Sequence, residues 1–280
     1  MVAQLASVNA KVSYLSASEE RPKYRIYPPS SGRESTSPVT EPSEVEIFDF
    51  RPVIADFTLD GDGVILRRQD LLPGDYTDPE YVTSTYYPLM RSLVMEVTGA
   101  REVIVFDHNT RSADSSRRMQ SGSQPPVPTA HGDYTLSSGP RRLQEVLREH
   151  DRGELAGGRS AIINVWRPLK GPVQDTPLAM CDPRTVKDEE LVDTPIEHYS
   201  SGDLDTPSHV GSVYSVRSGE HHRWGYVSAM TTDEILIFKT FDSKTDVATR
   251  LTLHSAFNDP TCPAEFQPRE SIEVRTAVFY

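Results

Sequence analysis

The sequence predicts a mainly β protein with flanking helices. Strand-forming β-branched and aromatic residues dominate four segments in the second half of the chain, at 161–169, 222–230, 234–241 and 272–280. Apolar residues recur at helical spacing in only two segments, 79–98 and 141–150. We find no internal repeat, and we therefore expect one β-core with a few helices packed against its outside.

The chain divides into a polar beginning and a longer globular part. Residues 1–44 are predicted to form an N-terminal arm or extended segment without regular structure, because Ser, Pro and Thr dominate its second half. A single domain is expected over 45–280. It opens with a strand at 45–53, followed by an Asp- and Gly-rich turn that leads into a second strand within 58–68.

The middle of the chain supplies the helices and the longest loops. The helix predicted over 79–98 ends at Gly99, a residue suited to a helix C-terminus, and a strand follows at 101–108. Residues 111–130 are polar and contain prolines, so we expect a loop. The segment 171–215 is rich in Pro, Asp and Thr and is predicted to connect the strands on either side of it.

Charge and cysteine content limit the classes of partner. The net charge of −12 argues against nucleic acid or an anionic membrane, since both bind basic surfaces. Cys181 and Cys262 are expected to be free thiols in a reducing compartment. The first residues do not resemble a signal peptide, and no window approaches the roughly 20 apolar residues of a membrane span. We expect a cytoplasmic protein.

The triplet His131-Gly132-Asp133 offers two metal ligands at strand spacing. Residues i and i+2 of a strand point the same way, and a non-haem iron(II) site uses two histidines and one carboxylate on one side of the metal. The triplet alone is a weak signal, so a third ligand must come from elsewhere. We prefer His254, because an Arg-x-Ser motif follows it; the alternative, His222, also borders a strand but has no such motif close behind it.

The Arg-x-Ser motif, Arg269 to Ser271, opens the last predicted strand. On that strand Arg269, Ser271, Glu273 and Arg275 share one face. A guanidinium and a hydroxyl that point the same way can hold a carboxylate, such as the distal carboxylate of 2-oxoglutarate. Arg275 on the same face is an alternative anchor.

Further polar and aromatic residues are candidates for the pocket. Asn164 and Trp166 alternate along a predicted strand and share a face, and Tyr134 directly follows the metal triplet, so we expect these three to contact substrate. The polar cluster from Asp107 to Arg111 is expected to close a turn by local hydrogen bonds. The alternative is that these residues line the mouth of the β-core.

Several motifs together resemble a known family. They are FDHNTR (106–111), HGDYT (131–135), INVWRPL (163–169), PLAMCD (177–182), HRWGYV (222–227), EILIFKTFDS (234–243), HSAFNDP (254–260) and PRESIEVR (268–275). In this order they resemble the fungal hydroxylase/desaturase family of AsaB-type, gibberellin desaturase-like and CmcJ-like enzymes. The resemblance extends from about Val45 to the C-terminus.

The resemblance implies a fold, cofactors and a reaction. The fold would be a double-stranded β-helix, or jelly-roll, and the enzyme would be an Fe(II)/2-oxoglutarate-dependent dioxygenase that hydroxylates or desaturates a small secondary metabolite with O₂. By the same resemblance, His131, Asp133 and His254 would be the catalytic metal ligands. Arg269, assisted by Ser271, would bind 2-oxoglutarate, with Arg275 as its substitute.

Two other interpretations remain open from the sequence. The chain could be a metal-dependent isomerase or hydrolase that uses its metal as a Lewis acid, or the non-catalytic subunit of a hetero-oligomeric oxygenase. An oxygenase needs the Arg269–Ser271 motif, whereas a Lewis-acid enzyme does not. Neither a homodimer nor a heterodimer with a homologue is excluded.

Overall fold

The strands of the protein form two sheets. The computed structural model describes residues 5–280, so residues 1–4 of the predicted arm lie outside the described residues. The larger sheet contains β1 (Ser7–Leu15), β2 (Tyr24–Ile26), β3 (Thr40–Asp49), β6 (His131–Gly132), β8 (Leu178–Cys181), β9 (Leu191–His198), β10 (His209–Val216), β11 (Trp224–Tyr226) and β13 (His254–Ala256). The smaller sheet contains β4 (Val64–Arg68), β5 (Glu102–Ser112), β7 (Ser160–Pro168), β12 (Glu234–Asp242) and β14 (Glu270–Phe279).

The strand order brings distant parts of the sequence together. It is β1-β3-β11-β8-β13-β6-β10-β9-β2 in the nine-stranded sheet and β4-β12-β7-β14-β5 in the five-stranded sheet. Most neighbouring strands are antiparallel, while β11 with β3 and β2 with β9 are parallel pairs. The order places β6 and β13 next to each other in the larger sheet, and β7 next to β14 in the smaller one.

The helices lie outside the sheets. They are α1 (Pro79–Tyr81), α2 (Tyr87–Thr98), α3 (Ser115–Ser121) and α4 (Ser138–Glu149), with a π-helical turn at Val82–Tyr86 that joins α1 to α2. Short 3₁₀ turns occur at Pro29–Ser31, Ile54–Asp56, Gly153–Leu155, Pro183–Thr185 and Asp188–Glu190. Gly99 follows α2 in the left-handed conformation (φ 65°), as the sequence predicted. No helix within residues 5–280 combines the length and apolar character of a membrane span.

The alternation of side chains along β7 explains where the site forms. Ile163 and Val165 pack with α2 in the core on the outer face of the smaller sheet. Asn164 and Trp166 alternate with them and point the other way, and Trp166 packs with Leu178 and Met180 of the larger sheet. Polar residues on this inner face therefore lie between the two sheets, shielded from solvent.

The predicted fold class, mainly β with flanking helices, is confirmed, and the two-sheet architecture is consistent with a jelly-roll. The strands and helices expected from apolar periodicity are all present, with ends shifted by a few residues. Cys181 and Cys262 are free thiols, as expected.

The prediction that the first residues lack regular structure was wrong for β1. Ser7–Leu15 pairs along its whole length with β3 and buries Ala10, Val12 and Tyr14. These residues alternate with polar ones, so the strand pattern was present in the sequence and was overlooked. The boundary between an arm at 1–44 and a domain at 45–280 stays a prediction.

Two predicted loops also contain regular structure. Within 111–130, Asp114 caps α3 by accepting hydrogen bonds from the amides of Ser116 and Arg117, which allows a short helix in a polar segment. Within 171–215 lie β8, β9 and β10. β9 and β10 form a hairpin through the hydrogen bonds between the two strands. Much of the hairpin is only half-buried, so its sequence lacks the apolar pattern of a core strand.

Candidate metal centre

Two histidines face each other across neighbouring strands. His131 in β6 is paired directly with His254 in β13, and directly opposed residues project from the same face of a sheet. Their ring centroids are 4.3 Å apart. His254 is buried and His131 is largely shielded, so both imidazoles point into the space between the sheets.

A carboxylate completes the cluster. Asp133 follows β6 directly, and its Oδ1 lies 3.8 Å from Nε2 of His131 and 3.9 Å from Nε2 of His254. One ligand atom from each of the three residues lies within 4.8 Å of the other two. Metal–ligand bonds of about 2.1 Å place neighbouring ligands roughly 3 Å apart, so a shift of under about 1 Å would let all three hold one ion.

The other ring nitrogen of each histidine faces a backbone carbonyl. Nδ1 of His131 lies 2.8 Å from the carbonyl oxygen of Thr129, and Nδ1 of His254 lies 3.4 Å from that of Thr252. A carbonyl can only accept, so Nδ1 carries the proton and Nε2 keeps its lone pair towards Asp133. Burial lowers the pKa of His131 to about 4, with a further contribution from His254, and burial also lowers the pKa of His254. Both rings are therefore neutral, as metal binding requires.

Asp133 is held from the smaller sheet. Asn164 in β7 donates a hydrogen bond of 2.6 Å from Nδ2 to Oδ2 of Asp133, which leaves Oδ1 facing the two imidazoles. Burial alone would raise the pKa of this carboxyl, but Arg275 and the hydrogen bond from Asn164 hold the pKa well below its ordinary value. The ligand carboxylate is thus ionised and fixed in orientation.

Arg269 is a buried cation without a carboxylate partner. Its guanidinium donates to Oγ of Ser271 (3.2 Å) and to the carbonyl oxygen of Thr176 (2.7 Å), and it stacks over the ring of Trp166 at 4.9 Å. Among residues 5–280, no carboxylate forms an ion pair with this guanidinium. Burial, together with the nearby Arg111, lowers the pKa of Arg269 to about 9. An anionic ligand would relieve this desolvated charge.

Arg275, the alternative anchor, is already engaged by carboxylates. Its guanidinium lies 2.7 Å from Asp107, 3.6 Å from Glu273 and 3.8 Å from Asp133. These neighbours raise its pKa above the ordinary value in spite of burial. Arg275 therefore balances the charge of the metal-binding carboxylate, and Arg269 is the better candidate for an incoming anion.

Two cavities meet at the cluster. A narrow cavity extends from His131, Asp133 and His254 to Arg269, with Trp166 along its wall. A large cavity of about 600 Å³ opens from the other side of the cluster, between α4 and the β9–β10 hairpin. The residues common to both linings are Arg111, Val127, His131, Asp133 and Arg275.

The three predicted substrate contacts are separated in the structure. Tyr134 lines the large cavity. Asn164 lies outside the lining of both cavities and holds Asp133, while Trp166 lines the narrow cavity beside Arg269. His222, the alternative third ligand, lies away from the cluster and hydrogen bonds to Glu190 and Tyr14.

Arg111 and Glu273 line the narrow cavity, although the sequence predicted only that Glu273 shares a face with Arg269 and favoured a turn for Arg111. The prediction that the polar segment from Asp107 to Arg111 closes a turn was wrong. The segment lies inside β5 and pairs residue by residue with β14. This pairing sets Asp107 opposite Arg275 and Arg111 opposite Ser271. The matched two-residue spacing of polar residues on both strands was the signal available in the sequence.

Comparison with known proteins agrees with this geometry. A family model described as "Oxidoreductase/YMDC permease-like domain" matches residues 12–279. The chain is 30% identical to the Fe(II)/2-oxoglutarate-dependent dioxygenase nvfI of Aspergillus novofumigatus, over 91% of this chain and 90% of that protein. It is 32% identical to the hydroxylase/desaturase efuI of Hormonema carpetanum, over 84% of this chain and 83% of that protein.

The chain belongs to the fungal Fe(II)/2-oxoglutarate-dependent oxygenase family. The structure of the iron and alpha-ketoglutarate-dependent endoperoxidase NvfI covers 98% of each chain with a TM-score of 0.83 and 29% identity. The family resemblance and the enzyme class predicted from the sequence are thereby confirmed. The individual metal-ligand, co-substrate and substrate residues stay predictions within this oxygenase family.

Proposed function

We propose that this protein is an Fe(II)/2-oxoglutarate-dependent dioxygenase that hydroxylates or desaturates a small secondary metabolite. His131, Asp133 and His254 would hold iron(II), and Arg269 with Ser271 would hold 2-oxoglutarate. When bound, iron(II) supplies the redox chemistry that activates O₂. The observation that carries the proposal is the combination of a two-histidine, one-carboxylate cluster with an unpaired buried guanidinium at the other end of the same cavity.

The donor set fits iron(II). Two neutral imidazoles and one carboxylate on one side of an ion leave the opposite side free, which is the arrangement of non-haem iron oxygenases. The contacts of Nδ1 with Thr129 and Thr252, and of Asn164 with Asp133, orient all three ligands before a metal arrives.

The polar groups of the narrow cavity suit a dicarboxylate co-substrate. Nε1 of Trp166, on the wall of this cavity beside Arg269, is buried without a hydrogen-bond partner, so it can contribute to carboxylate binding. The cavity holds only about 30 Å³, less than the co-substrate needs, and we expect side chains there to shift on binding.

Glu273 would affect the affinity of the narrow cavity for its co-substrate. It shares the narrow cavity with Arg269, and burial, together with the nearby Asp133, raises its pKa. With a raised pKa, Glu273 carries less negative charge at a given pH than an ordinary glutamate and so repels a bound dicarboxylate less.

The large cavity would hold the substrate. It reaches the cluster at His131 and Asp133, and its volume of about 600 Å³ suits a small molecule. Substrate on this side and co-substrate on the Arg269 side would approach the metal from different directions. Cytoplasmic location and assembly as a homodimer or as a heterodimer with a homologue stay predictions.

The Lewis-acid alternative is less well supported. A hydrolase or isomerase would need the metal cluster but not a buried, unpaired arginine beside it. A non-catalytic subunit would need neither feature. The position of Arg269 therefore favours the oxygenase.

The proposal is tested by the consumption of 2-oxoglutarate. With iron(II) and O₂, the unmodified chain should convert 2-oxoglutarate to succinate, even if slowly without substrate. His254→Ala should abolish succinate formation, while His198→Ala, on the wall of the large cavity, should retain it. Metal-dependent turnover of test esters or isomerisable substrates without succinate formation would favour the Lewis-acid enzyme instead.

A further inference from the structure

A second cluster of side chains of the metal-ligand type lies at the open end of the β9–β10 hairpin. Glu190 directly precedes β9, and His221 and His222 lie in the loop that follows β10. The amide of Arg217 donates to the carbonyl oxygen of Glu190 (2.8 Å), which continues the ladder to this end of the hairpin. The cluster therefore joins the two chain segments where they enter and leave the hairpin.

The geometry of the cluster suits a metal ion. Nε2 of His221 lies 3.0 Å from Oε1 of Glu190, and Nε2 of His222 lies 3.0 Å from Oε2. One ligand atom from each residue lies within 4.8 Å of the others. The His222 side chain is fully buried, whereas that of His221 is 39% exposed, so water can reach the cluster from one side and complete a coordination sphere.

Neighbouring groups hold the three side chains in place. Nδ1 of His222 lies 3.2 Å from the hydroxyl of Tyr14, and the amide of Lys187 donates to Oε2 of Glu190 at 2.8 Å. The loop approaches so closely that a Cβ on Gly219 would lie 2.6 Å from Oε1 of Glu190 and 3.0 Å from Nε2 of His222. Supporting contacts of this kind orient ligands in protein metal sites.

We propose that Glu190, His221 and His222 form a second binding site for a divalent cation of the zinc type, separate from the cluster at His131, Asp133 and His254. Two imidazole nitrogens and a carboxylate are ligands that zinc prefers. β9 and β10 form one wall of the large cavity. A cation here would hold together the two chain segments at the open end of this hairpin.

Hydrogen bonding alone is the competing explanation. Each imidazole could donate its Nε2 proton to Glu190 and hold the loop without a metal. The two explanations differ in zinc binding, because only the metal site predicts a second ion per chain.

Zinc titration by calorimetry separates these explanations. The unmodified apoprotein should bind about two zinc ions per chain, and His221→Ala should bind about one. A variant with both His131→Ala and His254→Ala should keep about one, at the second site. His150→Ala changes an exposed histidine outside both clusters and should leave two. No ion in the variant that lacks His131 and His254, or no loss of an ion in His221→Ala, would overturn the proposal.

Hydrogen exchange tests the effect on the hairpin. In the variant lacking His131 and His254, zinc should slow amide exchange in β9 and β10, and adding His221→Ala should remove this protection. If zinc left amide exchange in β9 and β10 unchanged, the proposed stabilisation of the hairpin by the cation would be contradicted. Because His221 is partly exposed, its replacement should leave the fold intact, which circular dichroism checks.

Discussion

His131 and His254 are paired directly across β6 and β13, with their ring centroids 4.3 Å apart. The pairing puts two imidazoles, far apart in sequence, on one face of the larger sheet. Asp133, two residues after His131, completes the set. The register of two very short strands therefore determines the geometry of the candidate metal centre.

Removal of one imidazole should abolish iron binding at this centre. In His254→Ala we expect the iron bound per chain to fall to background, because two ligands hold iron(II) too weakly. His198→Ala, which changes a histidine of the large cavity, should keep normal iron content. Iron content after anaerobic loading and desalting measures both variants. Full iron content in His254→Ala would remove that residue from the ligand set.

Arg269→Gln should weaken 2-oxoglutarate binding. Loss of a buried charge-assisted contact costs about 3 kcal/mol, so we expect the dissociation constant to rise about 100-fold. Arg142→Gln, which changes an arginine of the large cavity, is the matched control and should leave this constant unchanged. If Arg275→Gln weakened binding by this amount while Arg269→Gln did not, the anchor would be Arg275.

Asn164→Leu should weaken metal binding, although Asn164 is not a proposed metal ligand. The side chain of Asn164 donates to Oδ2 of Asp133, and replacing such a supporting group weakens metal affinity by about 10- to 100-fold. Thr240→Val is a suitable control, since Thr240 contacts Asn164 only at 3.5 Å. Iron affinity is the measurement, and an unchanged affinity in Asn164→Leu would show that Asp133 is oriented by other contacts.

Glu273 should make 2-oxoglutarate affinity depend on pH. Its pKa is raised by burial and by Asp133, so ionisation occurs at a higher pH than for an ordinary glutamate and adds a negative charge beside the co-substrate. Affinity should fall as the pH rises through this ionisation. Glu273→Gln cannot ionise, and the fall should disappear from its pH profile. A profile that this substitution leaves unaltered would assign the pH dependence to another group.

His131 should make the apoprotein less stable in mild acid. Its pKa is about 4 in the folded chain and about 6.5 when unfolded, so between these values the unfolded state binds more protons. Stability that is present above pH 6.5 is lost as the pH falls towards 4, by up to about 1.4 kcal/mol per pH unit from this group. Urea unfolding of the apoprotein across this range measures the slope.

The replacement His131→Gln should give a shallower slope over the same pH range, since glutamine does not titrate. His150→Ala, at an exposed histidine, should match the unmodified chain. Equal slopes for all three proteins would mean that folding does not lower the pKa of His131.

The sequence was most informative where function imposes a local pattern. The spacing of His131 and Asp133 and the alternation along β14 both depend on strand geometry, which can be read from residue order. The choice of His254 rested on the motif that follows it, and the structure brings this residue to the cluster.

The sequence was least informative where a residue's partner lies on another sheet. Asn164 was expected to contact substrate, but it holds Asp133 across the space between the sheets. Strands β9 and β10 were missed because their half-buried residues show no apolar alternation. Only tertiary pairing defines such elements, and residue order alone does not reveal it.

An anaerobic titration of the apoprotein with iron(II) and then 2-oxoglutarate, followed by visible absorption, tests directly whether the two groups bind together. We expect a saturable charge-transfer band in the unmodified chain that is much weaker in Arg269→Gln at the same 2-oxoglutarate concentration. Bound iron without any such band would contradict the assignment of the narrow cavity to 2-oxoglutarate.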